Sequence, residues 1–363
     1  MAAMQARWDI FCRVIDNYGD VGVCWRLARQ LAAEHGLAVR LWVDDLAALA
    51  PMAPGILADA DAQETAGVEI HRWPTDFPQV DAADVVIEAF ACDLPTRYLE
   101  AMARRSPAPS WINLEYLSAE PWVESCHGLA SPHARLPLTK HFFFPGFTAK
   151  TGGLLRETGL IAGRDAYCAA LPARDALEVS LFCYDTAPIG ELLDAWALGE
   201  HPIVCHVAPG KPLATVAAHL GSDGPWQRGN LDLRPMPFLP QPDYDRLLWR
   251  CDLNFVRGED SFVRAQWAAR PFVWHIYPQE DAAHLAKLDA FLERYVHGLP
   301  REAAEALRAF FHAWNRGGGA AARWPALLAH LPAVAAHNRR WAEALASQPD
   351  LATNLVNFCA NGL

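Results

Sequence analysis

Two loops of the sequence combine acidic, basic and small residues at spacings that suit a chemical site. The first is Asp16-Asn17-Tyr18-Gly19-Asp20, which follows an apolar run and precedes a helical pattern. It has the position of a phosphate loop, but it lacks both G-x-G-x-x-G and a Walker lysine. Its two carboxylates would repel a pyrophosphate, whereas they suit a cation or a transferred proton. The spacing alone favours capping by Asp16 and Asp20, although one residue can do both.

The second loop is Arg257-Gly258-Glu259-Asp260-Ser261, between an apolar run and an amphipathic one. Gly258 permits an unusual backbone angle, and Asp260 or Ser261 can cap the helix that follows. The N–H groups at such a helix start, with Arg257 beside them, suit a diphosphate. Because capping leaves Arg257 and Glu259 unexplained, we favour a functional interpretation of this loop.

Aromatic and amide side chains occur where three further strands are predicted to end. They are Phe182 and Tyr184, Phe238 with Gln241, and Tyr277. Ligands of parallel α/β sheets bind outside the carboxyl ends of the strands. Aromatic faces there would sandwich a nucleobase, and an amide would read its edge. Core packing explains any one ring alone, so the prediction depends on the convergence of three strand ends.

Other patterns point away from metal, thiol or serine chemistry. The histidines lack a third partner at ligand spacing, and neither H-E-x-x-H nor G-x-S-x-G occurs. The nine cysteines include no C-x-x-C pair and lie mostly in apolar runs, which indicates reduced, buried thiols. The Asp44-Asp45 pair is predicted to cap a helix, and Gly317-Gly318-Gly319 to connect two helices.

Alternating strands and helices must position these loops. The run Trp8–Ile15 predicts a buried parallel strand, and the helical stripe after it ends near Gly36. The alternation continues to about residue 120 and restarts with LEVSLFCY at Leu177. Between Pro121 and Pro172 the proline, glycine and aromatic content predicts a long excursion or an interdomain connection.

Strands that alternate with helices predict an α/β protein with open parallel sheets. A length of 363 residues favours two domains. We predict two doubly wound, Rossmann-like domains that face one cleft, residues 1–170 and residues 171–347. Residues 348–363 are predicted to form a helix that packs back on the first domain.

The composition excludes some classes of partner. There are 42 acidic against 31 basic residues, a net charge of −11, which argues against nucleic acid or an anionic membrane as partner. With 52% hydrophobic and 20% charged residues, the chain can fill large cores. It has neither a signal-like leader nor a run of about 18 apolar residues. A soluble protein of the cytoplasm is therefore expected.

Two long segments resemble the bacterial protein-arginine rhamnosyltransferases that modify elongation factor P. They are FCRVIDNYGDVGVCWRLARQL, from Phe11, and LWRCDLNFVRGEDSFVRAQWAARPFVWHIYPQ, from Leu248, and the resemblance runs nearly end to end. It implies a GT-B fold with the nucleotide sugar in the C-terminal domain. It further implies transfer of rhamnose from dTDP-β-L-rhamnose to one arginine of the factor, with inversion and without a metal or other cofactor. This modification would activate the factor for translation of polyproline stretches.

The resemblance also assigns roles to residues. It makes Asp20 the general base, with Asp16 and Asn17 beside it in the acceptor loop that includes Tyr18 and Gly19, and Glu259 a second catalytic carboxylate. The donor contacts that it implies are Phe182, Tyr184, Phe238, Gln241, Arg257, Gly258, Asp260, Ser261 and Tyr277. The chemistry agrees, because carboxylates grip a guanidinium bidentately and one can accept its proton.

Two alternatives stay open at this point. One is a GT-B glycosyltransferase that uses another nucleotide sugar and a small-molecule acceptor. The other is a non-catalytic module that keeps the cleft for protein recognition. The joint occurrence of carboxylates and an arginine at the loop ends favours an enzyme over the module.

Overall fold

The computed structural model describes residues 6–15, 18–279 and 283–360. The chain divides into two compact units: the first runs to Thr158 and resumes at Gln348, and the second is Gly159–Ser347. The division lies after residue 158, whereas the sequence pattern suggested 170. The physical reason is the helix at 160–169, whose Arg164 donates a hydrogen bond to the carbonyl of Trp267 at 2.8 Å, within the second unit.

The first unit alternates strands and helices through most of its length. Its elements are β1 (Arg7–Cys12), α1 (Gly19–His35), β2 (Ala38–Val43), α2 (Leu46–Leu49), β3 (Ala62–Thr65), β4 (Val68–Arg72), β5 (Val85–Ala89), α3 (Thr96–Ala103), β6 (Ser110–Leu114), α4 (Val123–Cys126), β7 (Ala130–Pro132) and β8 (Thr139–Phe143). The chain returns to this unit after Ser347.

The first sheet has the strand order β3-β4-β2-β1-β5-β6-β8-β7. Its six inner strands are parallel, and the edge strands β3 and β7 are antiparallel. The prediction of an irregular excursion at 121–172 is wrong for β8, which pairs in parallel with β6. The sequence TKHFF of β8 is only partly buried, so it lacks the apolar run that marks the inner strands.

The second unit repeats the alternation and adds long helices. Its elements are α5 (Leu160–Ala169), β9 (Leu177–Leu181), α6 (Ile189–Leu198), β10 (Ile203–Val207), α7 (Lys211–Leu220), β11 (Trp226–Arg228), β12 (Leu231–Pro235), α8 (Gln241–Arg250), β13 (Leu253–Arg257), α9 (Asp260–Ala268), β14 (Phe272–His275), α10 (Ala283–Tyr295), α11 (Arg301–Asn315) and α12 (Ala320–Ala346). Helix α13 (Leu351–Ala360) follows in the first unit.

The second sheet has the order β11-β12-β10-β9-β13-β14 and is parallel except for its edge strand β11. In both sheets the first strand of the unit is central. The strands that follow it directly lie on one side and the later strands lie on the other, which is the doubly wound arrangement. Among the described residues, no helix has the length and apolar character needed to cross a membrane.

Buried aromatic residues fill both cores. In the first unit Phe11 stacks on Trp42, with ring centroids 5.9 Å apart. In the second unit Phe255 contacts Trp314 at 4.5 Å and Trp196 at 6.0 Å. All nine cysteines are free thiols, as the sequence predicted.

Candidate functional site

Asp20 is the best-defined carboxylate of the first loop. It is the second residue of α1, and its side chain is only 3% exposed. Its Oδ2 accepts a hydrogen bond from the Ile15 N–H at 3.0 Å, and its Oδ1 accepts one from the Tyr116 hydroxyl at 3.2 Å. The prediction that Asp20 caps the helix is wrong, because Tyr18 is the N-cap and no cap bond comes from its side chain. The Asp20 carboxylate is therefore tied to the loop before α1 and to Tyr116.

The structure describes only some of the other predicted residues of this loop. Tyr18 and Gly19 form the start of α1, where the Tyr18 carbonyl accepts the Gly22 N–H at 3.0 Å. Asp16 and Asn17 lie outside the described residues. The structure therefore leaves their predicted roles untested.

Tyr116 connects Asp20 to the end of two neighbouring strands. Its ring stacks on Phe90, with centroids 4.4 Å apart and planes at 17°. Phe90 follows β5 and has a left-handed backbone with φ of 57°, as has Ala91 with φ of 52°. Such angles cost about 1–2 kcal/mol each in residues other than glycine. The side-chain oxygen Oδ1 of Asn113 accepts the Ala91 N–H at 3.2 Å and so supports this turn.

Left-handed residues of this kind concentrate where a site requires a fixed side-chain position. Here the turn presents the Phe90 ring to Tyr116, and the Tyr116 hydroxyl holds the carboxylate of Asp20. Tyr116 is 39% exposed, so the buried Asp20 lies next to a surface that a substrate can reach. Sequence reasoning missed Tyr116. Its signal was its position, two residues after the strand SWINL.

Arg257 is the centre of a second cluster, at the carboxyl end of β13. Its Cζ lies 4.5 Å from the centroid of the Phe182 ring and 4.7 Å from that of Tyr184. Its Nη1 donates to the carbonyl of Cys183 at 3.3 Å, and the residue is 8% exposed. The structure thus brings together the predicted strand ends of β9 and β13 around one guanidinium.

Ser261 stabilises the turn from β13 to α9, but it does not cap the helix. The Arg257 N–H donates to Ser261 Oγ at 3.0 Å, and the hydroxyl donates to the Arg257 carbonyl. Gly258 has φ of 61°, which suits glycine, and its carbonyl accepts the Trp274 indole N–H at 2.8 Å. The capping prediction for Asp260 and Ser261 is wrong: Glu259 is the N-cap, without a side-chain cap bond.

The other predicted donor residues surround this turn to different degrees. Gln241 is buried at the start of α8, and its Nε2 lies 3.5 Å from Asp260 Oδ2. Tyr277 is 47% exposed and contacts Tyr184 edge-on at 5.6 Å. Phe238 is half-buried in the segment between β12 and α8. All three lie beyond carboxyl ends of strands in the same sheet.

A buried histidine, which sequence reasoning missed, contacts this cluster. His275 ends β14 opposite Arg257 in the parallel register. Its Nδ1 accepts the Tyr184 N–H at 3.2 Å. Burial, with a further contribution from the Arg257 charge, lowers the pKa of His275 to about 3. The available signal was its position at the end of the strand PFVWH.

One group of side chains in the described part of the chain has the spacing of a metal site. Ligand atoms of Glu178, His206 and Cys251 lie within 4.8 Å of one another. However, Arg250 donates to both oxygens of Glu178, at 2.7 and 2.8 Å, and burial raises the pKa of Cys251. An ion-paired carboxylate and a protonated thiol are poor ligands, so this group is better explained as a structural ion-pair network.

Two kinds of chemistry follow from these positions. The first unit offers a buried, hydrogen-bonded carboxylate, which can hold a cation and accept a proton. The second unit offers a fixed guanidinium beside the positive end of the α9 dipole, which can stabilise a diphosphate. Aromatic rings at the same strand ends can pack against a base or a sugar.

Comparisons with known proteins agree with this architecture. The chain is 14% identical to the glycosyltransferase of kitacinnamycin, with a TM-score of 0.52 over 97% of this chain and 98% of that one, a likeness that shows the fold alone. Glycosyltransferases of this kind have the GT-B fold. A chain solved in work on EarP-mediated arginine glycosylation of translation elongation factor EF-P is 40% identical, with a TM-score of 0.69 and coverage of 99% and 100%.

Curated relatives and a family model cover nearly all of the chain. A protein-arginine rhamnosyltransferase of Pseudomonas putida KT2440 is 52% identical over 99% of this chain and 100% of its own length. One of Pseudomonas aeruginosa PAO1 is 50% identical with the same coverage. Residues 8–360 match the family model for the Elongation-Factor P (EF-P) rhamnosyltransferase EarP. A two-unit fold with these loops and this family match shows that the chain belongs to the EF-P rhamnosyltransferase EarP family.

Proposed function

We propose that this protein transfers L-rhamnose from dTDP-β-L-rhamnose to the side chain of one arginine of elongation factor P. The donor, the inversion of the anomeric centre and the absence of a metal are parts of this proposal. Membership of the EarP family supports the acceptor. Because that acceptor is a translation factor, we propose that the enzyme works in the cytoplasm.

The observation that carries the proposal is the environment of Asp20. A guanidinium is a cation with a pKa above about 12 and is a poor nucleophile until it loses a proton. A carboxylate that is 3% exposed, and whose oxygens accept the Ile15 N–H and the Tyr116 hydroxyl, is fixed in orientation. Such a carboxylate suits a cationic acceptor and would serve a carboxylate or phosphate acceptor poorly.

We assign the donor to the second unit. The Arg257 guanidinium and the positive end of the α9 dipole would receive the diphosphate. Phe182 and Tyr184, whose rings lie against that guanidinium, would pack against the nucleotide together with Phe238, Gln241 and Tyr277. Gly258, Asp260 and Ser261 would shape the turn that meets the phosphates. Glu259 would act as a second catalytic carboxylate, and Asp16 and Asn17 would assist in the acceptor loop.

The proposed reaction is a direct displacement at C1 of rhamnose. A guanidinium nitrogen forms a bond to C1 of rhamnose while the bond from C1 to the diphosphate oxygen breaks. The nitrogen gives its proton to Asp20, and dTDP leaves with the bonding electron pair. Without an intermediate on the enzyme, attack from the opposite face inverts the anomeric centre. Arg257 supplies positive charge to the leaving diphosphate, which is the role that a metal has in other enzymes.

The test is incubation of the protein with elongation factor P and dTDP-β-L-rhamnose, followed by intact-mass measurement. We expect the factor to gain the mass of one deoxyhexosyl group, and no gain when its acceptor arginine is replaced by lysine. Asp20→Asn keeps the size of the side chain and removes the base, so we expect transfer to slow by about 10²-fold or more. Transfer at the wild-type rate by Asp20→Asn would show that Asp20 is not the base.

Two further measurements test the finer parts of the proposal. The rate in the presence of EDTA should equal the rate without it, and a loss that Mg²⁺ restores would contradict metal-independent transfer. The NMR couplings of the product should indicate an α-linked rhamnosyl-arginine, and a β-linkage would contradict inversion. A panel of other sugar nucleotides should raise the melting temperature less than dTDP-rhamnose does, since only a ligand that binds the native state stabilises it.

A further inference from the structure

His275 has a position that the proposed chemistry does not explain. It is 1% exposed at the end of β14, whereas its hydrogen-bond partner Tyr184 follows β9. Strand β13 lies between these two strands in the sheet. The His275 side chain therefore reaches across the carboxyl end of β13, which is where Arg257 is located.

The hydrogen bonds of His275 define its tautomer. The Tyr184 N–H donates to Nδ1 at 3.2 Å, so Nδ1 must be without a proton. In a neutral ring the proton is then on Nε2, which lies 3.3 Å from the Thr186 hydroxyl oxygen and can donate to it. The ring thus binds two positions of the turn after β9, one backbone N–H and one side chain two residues later.

That turn holds the Arg257 guanidinium. Phe182 and Tyr184 place their rings 4.5 and 4.7 Å from the Arg257 Cζ, and the Cys183 carbonyl accepts from its Nη1. The His275 ring also contacts the Tyr184 ring edge-on, with centroids 5.2 Å apart. The position of Tyr184, and through it one wall of the guanidinium site, therefore depends on His275.

We propose that His275 is a positioning residue of the donor site: its neutral imidazole fixes the turn Tyr184–Thr186 and so holds the Tyr184 ring against the Arg257 guanidinium. The inference rests on the proposed donor role of Arg257. Its consequence is that removal of the Nδ1 acceptor weakens the use of the nucleotide sugar and leaves the use of the acceptor protein unchanged.

Replacement of His275 by asparagine or by glutamine tests its two hydrogen bonds separately. In His275→Asn the side-chain oxygen can take the place of Nδ1 and accept the Tyr184 N–H. In His275→Gln the amide can take the place of Nε2 and reach Thr186. His275→Leu offers neither bond. Thr186→Val, at an exposed position, removes the hydroxyl without changing the buried ring.

The experiment measures KM for dTDP-rhamnose, KM for elongation factor P, and kcat in each variant. In His275→Leu, which loses both hydrogen bonds, we expect the donor KM to rise about tenfold, with the acceptor KM within twofold of wild type. His275→Asn should restore the donor KM to within about threefold, and His275→Gln should not. Thr186→Val should raise the donor KM by a smaller factor than His275→Leu.

Crystal structures of His275→Leu and His275→Asn give a readout that does not depend on the donor. We expect the Tyr184 ring to leave the Arg257 guanidinium in the first and to stay in the second. An unchanged donor KM and an unmoved ring in His275→Leu would overturn the inference. If His275→Leu does not fold, an unchanged donor KM in Thr186→Val, or a His275→Asn variant no better than His275→Gln, would overturn it. Failure of the wild-type protein to transfer rhamnose would contradict the proposed function alone, because the ring position is read independently.

Discussion

Replacement of Arg257 by methionine should separate donor binding from folding. The guanidinium is 8% exposed and packs against the rings of Phe182 and Tyr184. Methionine is unbranched and apolar, so it can fill the space between the rings without a buried charge. The substitution removes the desolvation cost of the buried charge, which offsets the loss of the two cation–π contacts. The bond that is lost within the protein, to the Cys183 carbonyl, is long at 3.3 Å and is worth at most about 1 kcal/mol.

The effect on the donor should be much larger than the effect on stability. A hydrogen bond to a charged group contributes about 1.5–3 kcal/mol, so the Kd for dTDP-rhamnose should rise by about 10- to 150-fold. The melting temperature should change by no more than about 4 °C, which corresponds to about 1 kcal/mol in a unit of this size. Titration calorimetry and thermal unfolding of the same preparation measure the two quantities.

Two further variants complete this test. Arg257→Lys keeps the charge but loses the planar group that lies against both rings, so its Kd should fall between those of wild type and Arg257→Met. Arg301→Met is the matched control, because Arg301 is an exposed residue of α11 that pairs with Glu305. A Kd for Arg257→Met within twofold of wild type, at an unchanged melting temperature, would refute the diphosphate role of Arg257.

Three other predictions concern positions away from this cluster. Tyr116→Phe keeps the ring but loses the hydroxyl that holds Asp20. We therefore expect kcat/KM for elongation factor P to fall about tenfold while the Kd for the donor is unchanged. A wild-type kcat/KM would contradict this role of Tyr116. Burial raises the pKa of Glu178, but hydrogen bonds led by that from Arg250 outweigh it and lower the pKa to about 2. The hydrogen bonds from Arg250 and His206 therefore stabilise the fold above pH 4.5, and this contribution is lost as the pH falls from 4.5 towards 2. Denaturant unfolding should show that the free energy of unfolding falls less steeply with decreasing pH in Glu178→Gln than in wild type. Equal slopes would refute the stabilising role of Glu178. Gly153→Ala should lower the free energy of unfolding by about 2 kcal/mol, and the melting temperature with it. The φ of Gly153 is 76°, and the new Cβ would lie 2.7 Å from the Pro349 carbonyl oxygen. An unchanged melting temperature would show that the backbone relaxes there at no cost.

The alternation of strands and helices was predictable because inner parallel strands are nearly continuous apolar runs. VVIEA of β5 and LNFVR of β13 are buried at every position, as inner strands of a parallel sheet are expected to be. Strand β8 was missed because three of its five residues are only partly buried, so TKHFF carries no such signal. Its membership of the sheet depends on pairing with β6, a contact between distant parts of the chain.

The candidate site was predictable in its residue types and less so in its geometry. Chain position alone placed Asp20 at a helix start and Arg257 at the end of a strand, which the structure confirms. The same reasoning made Asp20 and Ser261 caps, because an aspartate or serine next to a helix start has that role most often. Instead Asp20 accepts bonds from Ile15 and Tyr116, and Ser261 bonds to the Arg257 backbone.

The sequence by itself determined the fold class, the two sets of strand ends, and the presence of a carboxylate and a guanidinium near those ends. These depend on local periodicity and on residue type, both of which can be read within short windows. Only the tertiary structure decided which side chains fix the reactive groups. Tyr116 reaches Asp20 across 96 positions of the chain, and His275 reaches Tyr184 across 91. Such contacts depend on how parallel strands are ordered in a sheet, and no local pattern encodes that order.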